Sequence, residues 1–300
     1  AMSIKRKGSG LSFAGKRAMT GRLYILPWFI GFICFFLIPF IEGVVYTVNK
    51  LSFGESGVNL SFVGTANYKK LFSDLDFLKV LSSSLAGMFP RVLIIVFFSL
   101  FVALILRGEY KGRTLARAIF FLPVIISSGV VITVLQENIM GSGISGNETT
   151  YLFKATSFET LLEGIGLPDK LMKSFTEIIN QLFDLSWKSG VQILLLLAAV
   201  NNIPRSSYEA ADMEGATEWE KFWKITFPTV SPTILVTVIY TVIDSFTDYS
   251  NSVMRLIEEQ LNLGYYEYSS TMALVYFVCV LVIIGIVGGL ISRKVYYQVD

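Results

Sequence analysis

Residues 204–228 read PRSSYEAADMEGATEWEKFWKITFP, between an apolar run at 186–203, SWKSGVQILLLLAAVNNI, and another at 229–250, TVSPTILVTVIYTVIDSFTDYS. A bilayer core takes about 20 apolar residues as a helix, so the flanking runs read as membrane spans and the polar segment as their connection. Helix signals fill that connection. Ser206 with Glu209 and Thr217 with Glu220 both have the Ser/Thr-x-x-Glu spacing that satisfies free amides at a helix start. Gly215 falls where the first helix would stop, because glycine takes a left-handed cap without steric cost. Pro228 marks entry to the next span. The segment is thus expected to form helix, break, helix outside the membrane.

Working outward, four more apolar stretches qualify, at 23–48, 85–106, 118–138 and 271–291, which makes six in all. The first is too long for a cleaved leader and is expected to stay as a span. Composition agrees: 53% of the 300 residues are hydrophobic and 16% charged, and the mean hydropathy is +0.60. This is the make-up of an all-α polytopic membrane protein rather than a soluble domain.

Charge and chemistry exclude several classes. With 25 Lys plus Arg against 23 Asp plus Glu, the net charge is +2, and a basic nucleic-acid binder is not expected. No histidine is present, so His-based catalysis and His-metal sites fall away. Cys34 and Cys279 both lie in apolar runs, so neither a disulfide framework nor a zinc site is expected. No catalytic residue, metal or cofactor is assigned to this chain. Two motifs mislead. Gly10 to Arg17 nearly matches a phosphate-binding loop, but Arg17 stands where Ser or Thr must reach magnesium. Gly141, Gly143 and Gly146 spell G-x-G-x-x-G, but they follow a membrane span instead of a strand.

Orientation follows from the connections. Residues 1–22, 107–117, 204–228 and 292–300 carry 15 cations in 67 residues, and the opposite set, 49–84, 139–185 and 251–270, carries 8 in 103. The cation-dense side is cytoplasmic, which places both termini and the 204–228 loop inside. Residues 1–22 read as a cytoplasmic tail and 23–300 as one six-helix domain. Within 169–185, Leu171, Met172, Phe175, Ile178, Ile179 and Leu182 recur at helical spacing, as in a helix on the membrane surface or packed on its own bundle.

The pattern Glu209-Ala210-Ala211, three residues, Gly215, nine residues, Ile225, two residues, Pro228 resembles the signature loop of ATP-binding-cassette importer permeases, with Phe227 where Leu is usual. Leu26-Pro27, Phe62-Val63-Gly64, Asn67-Tyr68, Phe121-Leu122-Pro123 and Ile203-Pro204 are similar to the sugar-importer branch, closest to the first permease of the maltose-importer type. Ser83-Ser84 departs from the Asn-Thr pair usual before the second span, and the large outer domain of some relatives is missing. The resemblance implies a type I importer permease fold in the bacterial cytoplasmic membrane. It implies a coupling helix that docks into an ATPase subunit through Glu209, Ala210, Ala211, Met213, Gly215, Ala216, Ile225 and Pro228. It also implies partners: a second related permease in a heterodimer, two ATPase subunits that hold ATP and magnesium, and an extracytoplasmic sugar-binding protein.

The cargo path is expected beside that loop. Thr237, Tyr240, Asp244, Thr247, Asp248 and Asn251 fall within about 100° of arc on a 3.6-residue helix, opposite Val238, Ile239, Val242 and Phe246. Asp184, Lys188 and Gln192 share one face at i, i+4, i+8. Hydroxyls, amides and carboxylates with one aromatic ring suit a sugar, whose hydroxyls need paired donors and acceptors. Tyr240, Asp244 and Thr247 align with the family's sugar-site positions, and Asp244 stands where the family has an amide. Asp244 with Lys188 also reads as a structural ion pair. Ser127 is a weaker pathway candidate. Arg91 in the second span calls for a partner. The rival class is a secondary transporter driven by an ion gradient through Asp244 and Asp248. An intramembrane aspartyl enzyme on the same two residues is set aside, because its carboxyls must share a proton across the cleaved bond.

Overall fold

The computed structural model describes residues 13–54, 57–108, 110–127, 178, 181–182, 184–248, 251–293 and 295. The near-phosphate loop at its start, the glycines of 141–146, most of the amphipathic stretch at 169–185 and the third expected span beyond Ser127 lie outside these residues. The described chain is mostly helical. Among the described residues, four stretches are long and apolar enough to cross a membrane: Thr20–Thr47, Leu75–Arg107, one within Glu218–Asn262, and Tyr266–Ser292. The fourth expected span appears as a shorter apolar helix, Gly190–Asn201.

The chain divides into two compact units, residues 1–81 with 252–279 and residues 82–251 with 280–300. In the first unit, α1 (Phe13–Phe32) passes through a π-helical turn, Ile33–Leu37, into α2 (Ile38–Thr47). Helix thus begins inside the segment read as a tail. Trp28, Phe32, Phe36 and Phe40 stack at four-residue spacing, 5.6, 5.2 and 6.0 Å between rings. After α2 come β1 (Asn49–Gly54) and β2 (Gly57–Phe62), paired antiparallel with Asn49 opposite Phe62 and Leu51 opposite Leu60. This hairpin is absent from the sequence reading, which took 49–84 as a plain connection.

The sugar-importer marks in this region have a structural role. Asn67 Nδ2 donates to the carbonyls of Thr47, at 2.9 Å, and Asn49, at 3.1 Å. Tyr68 donates its hydroxyl to Thr47 Oγ1 at 2.8 Å, and the amides of Val63 and Gly64 both reach the Val48 carbonyl. These contacts fasten α3 (Ala66–Ser73) and the hairpin to the carbonyl end of α2, whose last carbonyls have no partner within the helix. Helix α4 (Leu75–Arg107) then starts ten residues earlier than the apolar run at 85–106 suggests. The cause is Asp74, whose Oδ1 accepts the amides of Asp76 and Phe77 at 3.1 Å each, as an N-cap does. At 1.5 Å per residue α4 is about 50 Å long, well beyond the hydrocarbon core, so Asp76 and Lys79 in its first turns need not enter lipid.

In the second unit α5 (Arg113–Ser127) and α6 (Gly190–Asn201) follow, then α7 (Arg205–Met213) and α8 (Glu218–Lys221). A π-helical turn, Phe222–Thr226, leads directly into α9 (Phe227–Thr247). The expected second helix of the 204–228 loop is therefore no separate element. It is the first turns of the next span, and Pro228 is the second residue of α9, just past the π-helical turn that joins the two. The core of this unit joins Leu100, Val102, Ala103 and Leu106 of α4 to Ile193, Leu196, Leu197 and Val200 of α6, with Ile203 and Val230. Two further helices, α10 (Ser252–Asn262) and α11 (Tyr266–Ser292), complete the described chain.

Candidate functional site

The loop between α6 and α9 is built on that core. Tyr208, Phe222 and Ile225 pack against it, and Tyr208 Oη lies 2.6 Å from Thr226 Oγ1. Helix α7 begins at Arg205 with Pro204 as its cap residue. Ser206 is therefore already inside the helix, and the Ser206–Glu209 capping box does not form. The proline imposes the extended backbone of a cap, φ −58° and ψ 136°, two residues before the serine. The second box does form: Thr217 Oγ1 accepts the Glu220 amide at 3.3 Å and Glu220 Oε2 accepts the Thr217 amide at 3.0 Å.

Gly215 ends α7 with φ +75°. Its amide reaches the Asp212 carbonyl at 3.0 Å and the Ala216 amide reaches Ala211 at 2.9 Å, which is the Schellman pairing. A side chain here would be strained even though no atom lies within 4 Å of its place. Across this turn Lys221, buried, contacts Asp212 of α7 and Glu218 of α8, the latter at 2.7 Å. Sequence reasoning missed this clamp, although Asp212, Glu218 and Lys221 flank the predicted break at short range. The result is a short helix held rigidly outward. Glu209, Ala210, Met213 and Gly215 are exposed, Met213 by 89%, whereas Ala211, Ala216, Ile225 and Pro228 are half-buried. Ile225 supports the helix from the core side, so the signature residues divide into those that face outward and those that hold the helix.

The polar stripe is less uniform than the sequence suggests. Thr237 is fully buried, Tyr240, Asp244 and Asp248 are half-buried and Thr247 is exposed. Val238, Val242 and Phe246, on the opposite face, are packed inward. Thr237 and Thr247 hydroxyls donate to carbonyls of their own helix, at 2.8 and 3.1 Å. Asn251 lies beyond the end of α9. Its Nδ2 donates to the Ser245 carbonyl at 3.2 Å and its Oδ1 accepts from Ser84 at 3.3 Å, which ties the helix end to α4.

The expected Lys188–Asp244 pair is replaced by another. Lys188 Nζ is 2.8 Å from Asp248 and 3.7 Å from Asp184, and Asp244 forms no ion pair among the described residues. Asp244 and Asp248 lie one helical turn apart, and the lysine meets the one nearer the helix end. A turn at Ser189 separates helical residues 184–188 from α6. Gln192 is 1% exposed, and neither its Oε1 nor its Nε2 has a hydrogen-bond partner among the described residues. Such an orphaned amide is rare in a protein interior. Ser127 ends α5, and its side chain is outside the described set. Arg91 is exposed, with no partner among the described residues.

Residues 187–300 match the family model described as "Binding-protein-dependent transport system inner membrane component". Over 221 residues the chain is 29% identical to the probable ABC transporter permease protein YesP of Bacillus subtilis, covering 72% of this chain and 66% of that one. It is 27% identical over 228 residues to the arabinooligosaccharides transport system permease protein AraP of the same organism, covering 75% and 68%. The matches thus span about two thirds of those relatives' lengths. A crystal structure of a bacterial alginate ABC transporter, in complex with a pentasaccharide-bound periplasmic protein, holds a chain of the same fold, with TM-score 0.66, 17% identity and coverage of 95% and 98%.

Proposed function

We propose that this chain, which matches the model of the inner membrane component of binding-protein-dependent transport systems over residues 187–300 and is similar to ABC transporter permeases, is the permease subunit of a sugar or oligosaccharide importer. Cargo passes from an extracytoplasmic binding protein through a pathway shared with a second permease, in a bilayer spanned six times with both termini inside. Residues 1–22 form the cytoplasmic tail and 23–300 the permease domain. This chain takes no cofactor. ATP and magnesium belong to two partner ATPase subunits.

The observation that carries this reading is the outward helix α7, stopped by a left-handed glycine and clamped to the next span through Lys221. A short rigid helix presenting Glu209, Ala210 and Met213 suits a groove on a cytoplasmic partner. Because α8, the π turn and α9 run on without a break, displacement of α7 tilts α9, and with it Tyr240, Asp244 and Thr247. ATP-driven closure of the ATPases would draw the two permeases' loops together and open the outer side, as a two-state element biased at both ends.

Cargo contacts are assigned to Tyr240, Asp244 and Gln192, with Lys188, Asp248 and Thr247 at the margin and Ser127 as a further wall. Gln192 offers an amide with both polar atoms uncommitted, the chemistry a sugar hydroxyl needs. The ion pair of Lys188 with Asp248 disfavours the gradient-driven rival, because it neutralises one of the two carboxylates such a carrier would load.

The test is Gly215→Asp. An aspartate at the left-handed cap strains the α7 stop, so uptake in cells should fall at least tenfold while membrane insertion and co-purification with a second permease persist. Wild-type uptake in this variant would sink the coupling assignment.

A further inference from the structure

Four arginines from three elements converge on one cavity of about 280 Å³, lined by Arg107, Arg113, Arg117 and Arg205 with Asn201 and Ile203. Two of them are held in place. Arg117 donates from Nη2 to the Leu106 carbonyl at 2.7 Å, and its Nε is buried with no partner among the described residues. Arg107 lies over the Tyr208 ring at 4.2 Å. Arg113, one turn before Arg117 on α5, is exposed at the rim. None of Arg107, Arg113 and Arg117 forms an ion pair among the described residues. Like charges brought together repel, and a fold that pins two of them in place is stabilised by an anion between them.

The cavity's chemistry selects that anion. Guanidinium forks match phosphate oxygens in paired hydrogen bonds. Only Asn201 offers an acceptor side chain. The volume holds a phosphate with a small ester group. The place is equally specific: the carboxyl ends of α4 and α6 and the start of α5, in the connections that charge distribution assigns to the cytoplasmic face. Basic pockets between membrane helices on that face suit anionic lipid headgroups.

We propose that this pocket binds a phosphate ester anion, supplied by the headgroup of an anionic phospholipid in the cytoplasmic leaflet. Arg205 is the first residue of α7 and Tyr208 shares Arg107, so the bound headgroup braces the start of the same helix that faces the partner. Binding requires only that the chain sit in a membrane, so it stands or falls apart from any transport cargo.

The test is native mass spectrometry of the full-length chain in neutral detergent, titrated with phosphatidylglycerol or phosphatidylcholine. The wild type should hold phosphatidylglycerol in preference. Arg113→Gln with Arg205→Gln should weaken that binding roughly fivefold per arginine removed, and Lys50→Gln, an exposed cation of the first unit, should not. Unfolding temperature of the wild type in each lipid gives a second readout, free of any mutation. It should rise with phosphatidylglycerol alone. Equal retention of both lipids by the wild type, or of phosphatidylglycerol by the double variant, overturns the site. A rise produced by inorganic phosphate alone, with no further gain from phosphatidylglycerol, overturns the lipid as its source.

Discussion

Asp74 does two jobs with two oxygens. Oδ1 caps α4 and Oδ2 accepts the Tyr268 hydroxyl at 2.6 Å, while Lys70 Nζ lies 4.3 Å from the Tyr268 ring centre. The Tyr268 hydrogen bond, the Phe77 and Asp76 amides and the Lys70 charge hold its carboxyl below the ordinary 3.8, against an opposing effect of burial. The folded-state pKa is thus lower than the unfolded one. The stabilisation is complete above the ordinary carboxylate range and is lost as pH falls through the folded-state value. Asp74→Ala should cost about 1 kcal/mol for the cap alone, with more for the stranded Tyr268 hydroxyl. Unfolding temperatures in detergent should show that deficit at neutral pH and a shrinking gap to wild type below about pH 4. A gap that does not change with pH would contradict the role of the carboxylate charge.

At the scale of elements, Lys188, just before the start of α6, and Asp248, the residue after the end of α9, are joined by an ion pair. Lys188→Asp should leave Asp248 and Asp184 facing a third carboxylate and lower the yield of folded protein. Adding Asp248→Lys should restore much of it, whereas Asp244→Lys should not, since Asp244 forms no ion pair among the described residues. Fluorescence-detected size exclusion reads this directly, and equal rescue by Asp244→Lys would reverse the assignment. How much was legible beforehand follows the same line between local and distant causes. The Thr217 box and the Gly215 stop depend on residues within four positions of each other, and both formed as read. Ser206 failed because Pro204, two residues earlier, set the cap first. Lys188 meets Asp248, 60 positions away, rather than Asp244, and Asn251's role depends on Ser84, 167 positions away. Neither can be reached by periodicity. The hairpin was hidden because its strands read NKLSFG and GVNLSF, too polar to stand out beside apolar spans.

For the whole molecule, the distribution of cations makes a prediction about sidedness that packing does not. Asn59 lies in the connection poor in cations, exposed on β2, and Glu214 lies at the exposed end of α7 in a connection rich in them. They belong to opposite faces of the bilayer if the positive-inside rule governs this chain. With Cys34 and Cys279 replaced by alanine, a single cysteine at Asn59 should react with a membrane-impermeant maleimide in intact cells. A single cysteine at Glu214 should react only in inside-out vesicles. An odd number of spans separates the two positions, Leu75–Arg107 alone among the four long stretches and three in the six-span reading, so the labelling reads sidedness directly. Labelling of both from the same side would break the six-span count and detach α7 from any cytoplasmic ATPase. Labelling from opposite sides in the reverse sense would keep the count and overturn the orientation, leaving the arginine pocket on the wrong leaflet.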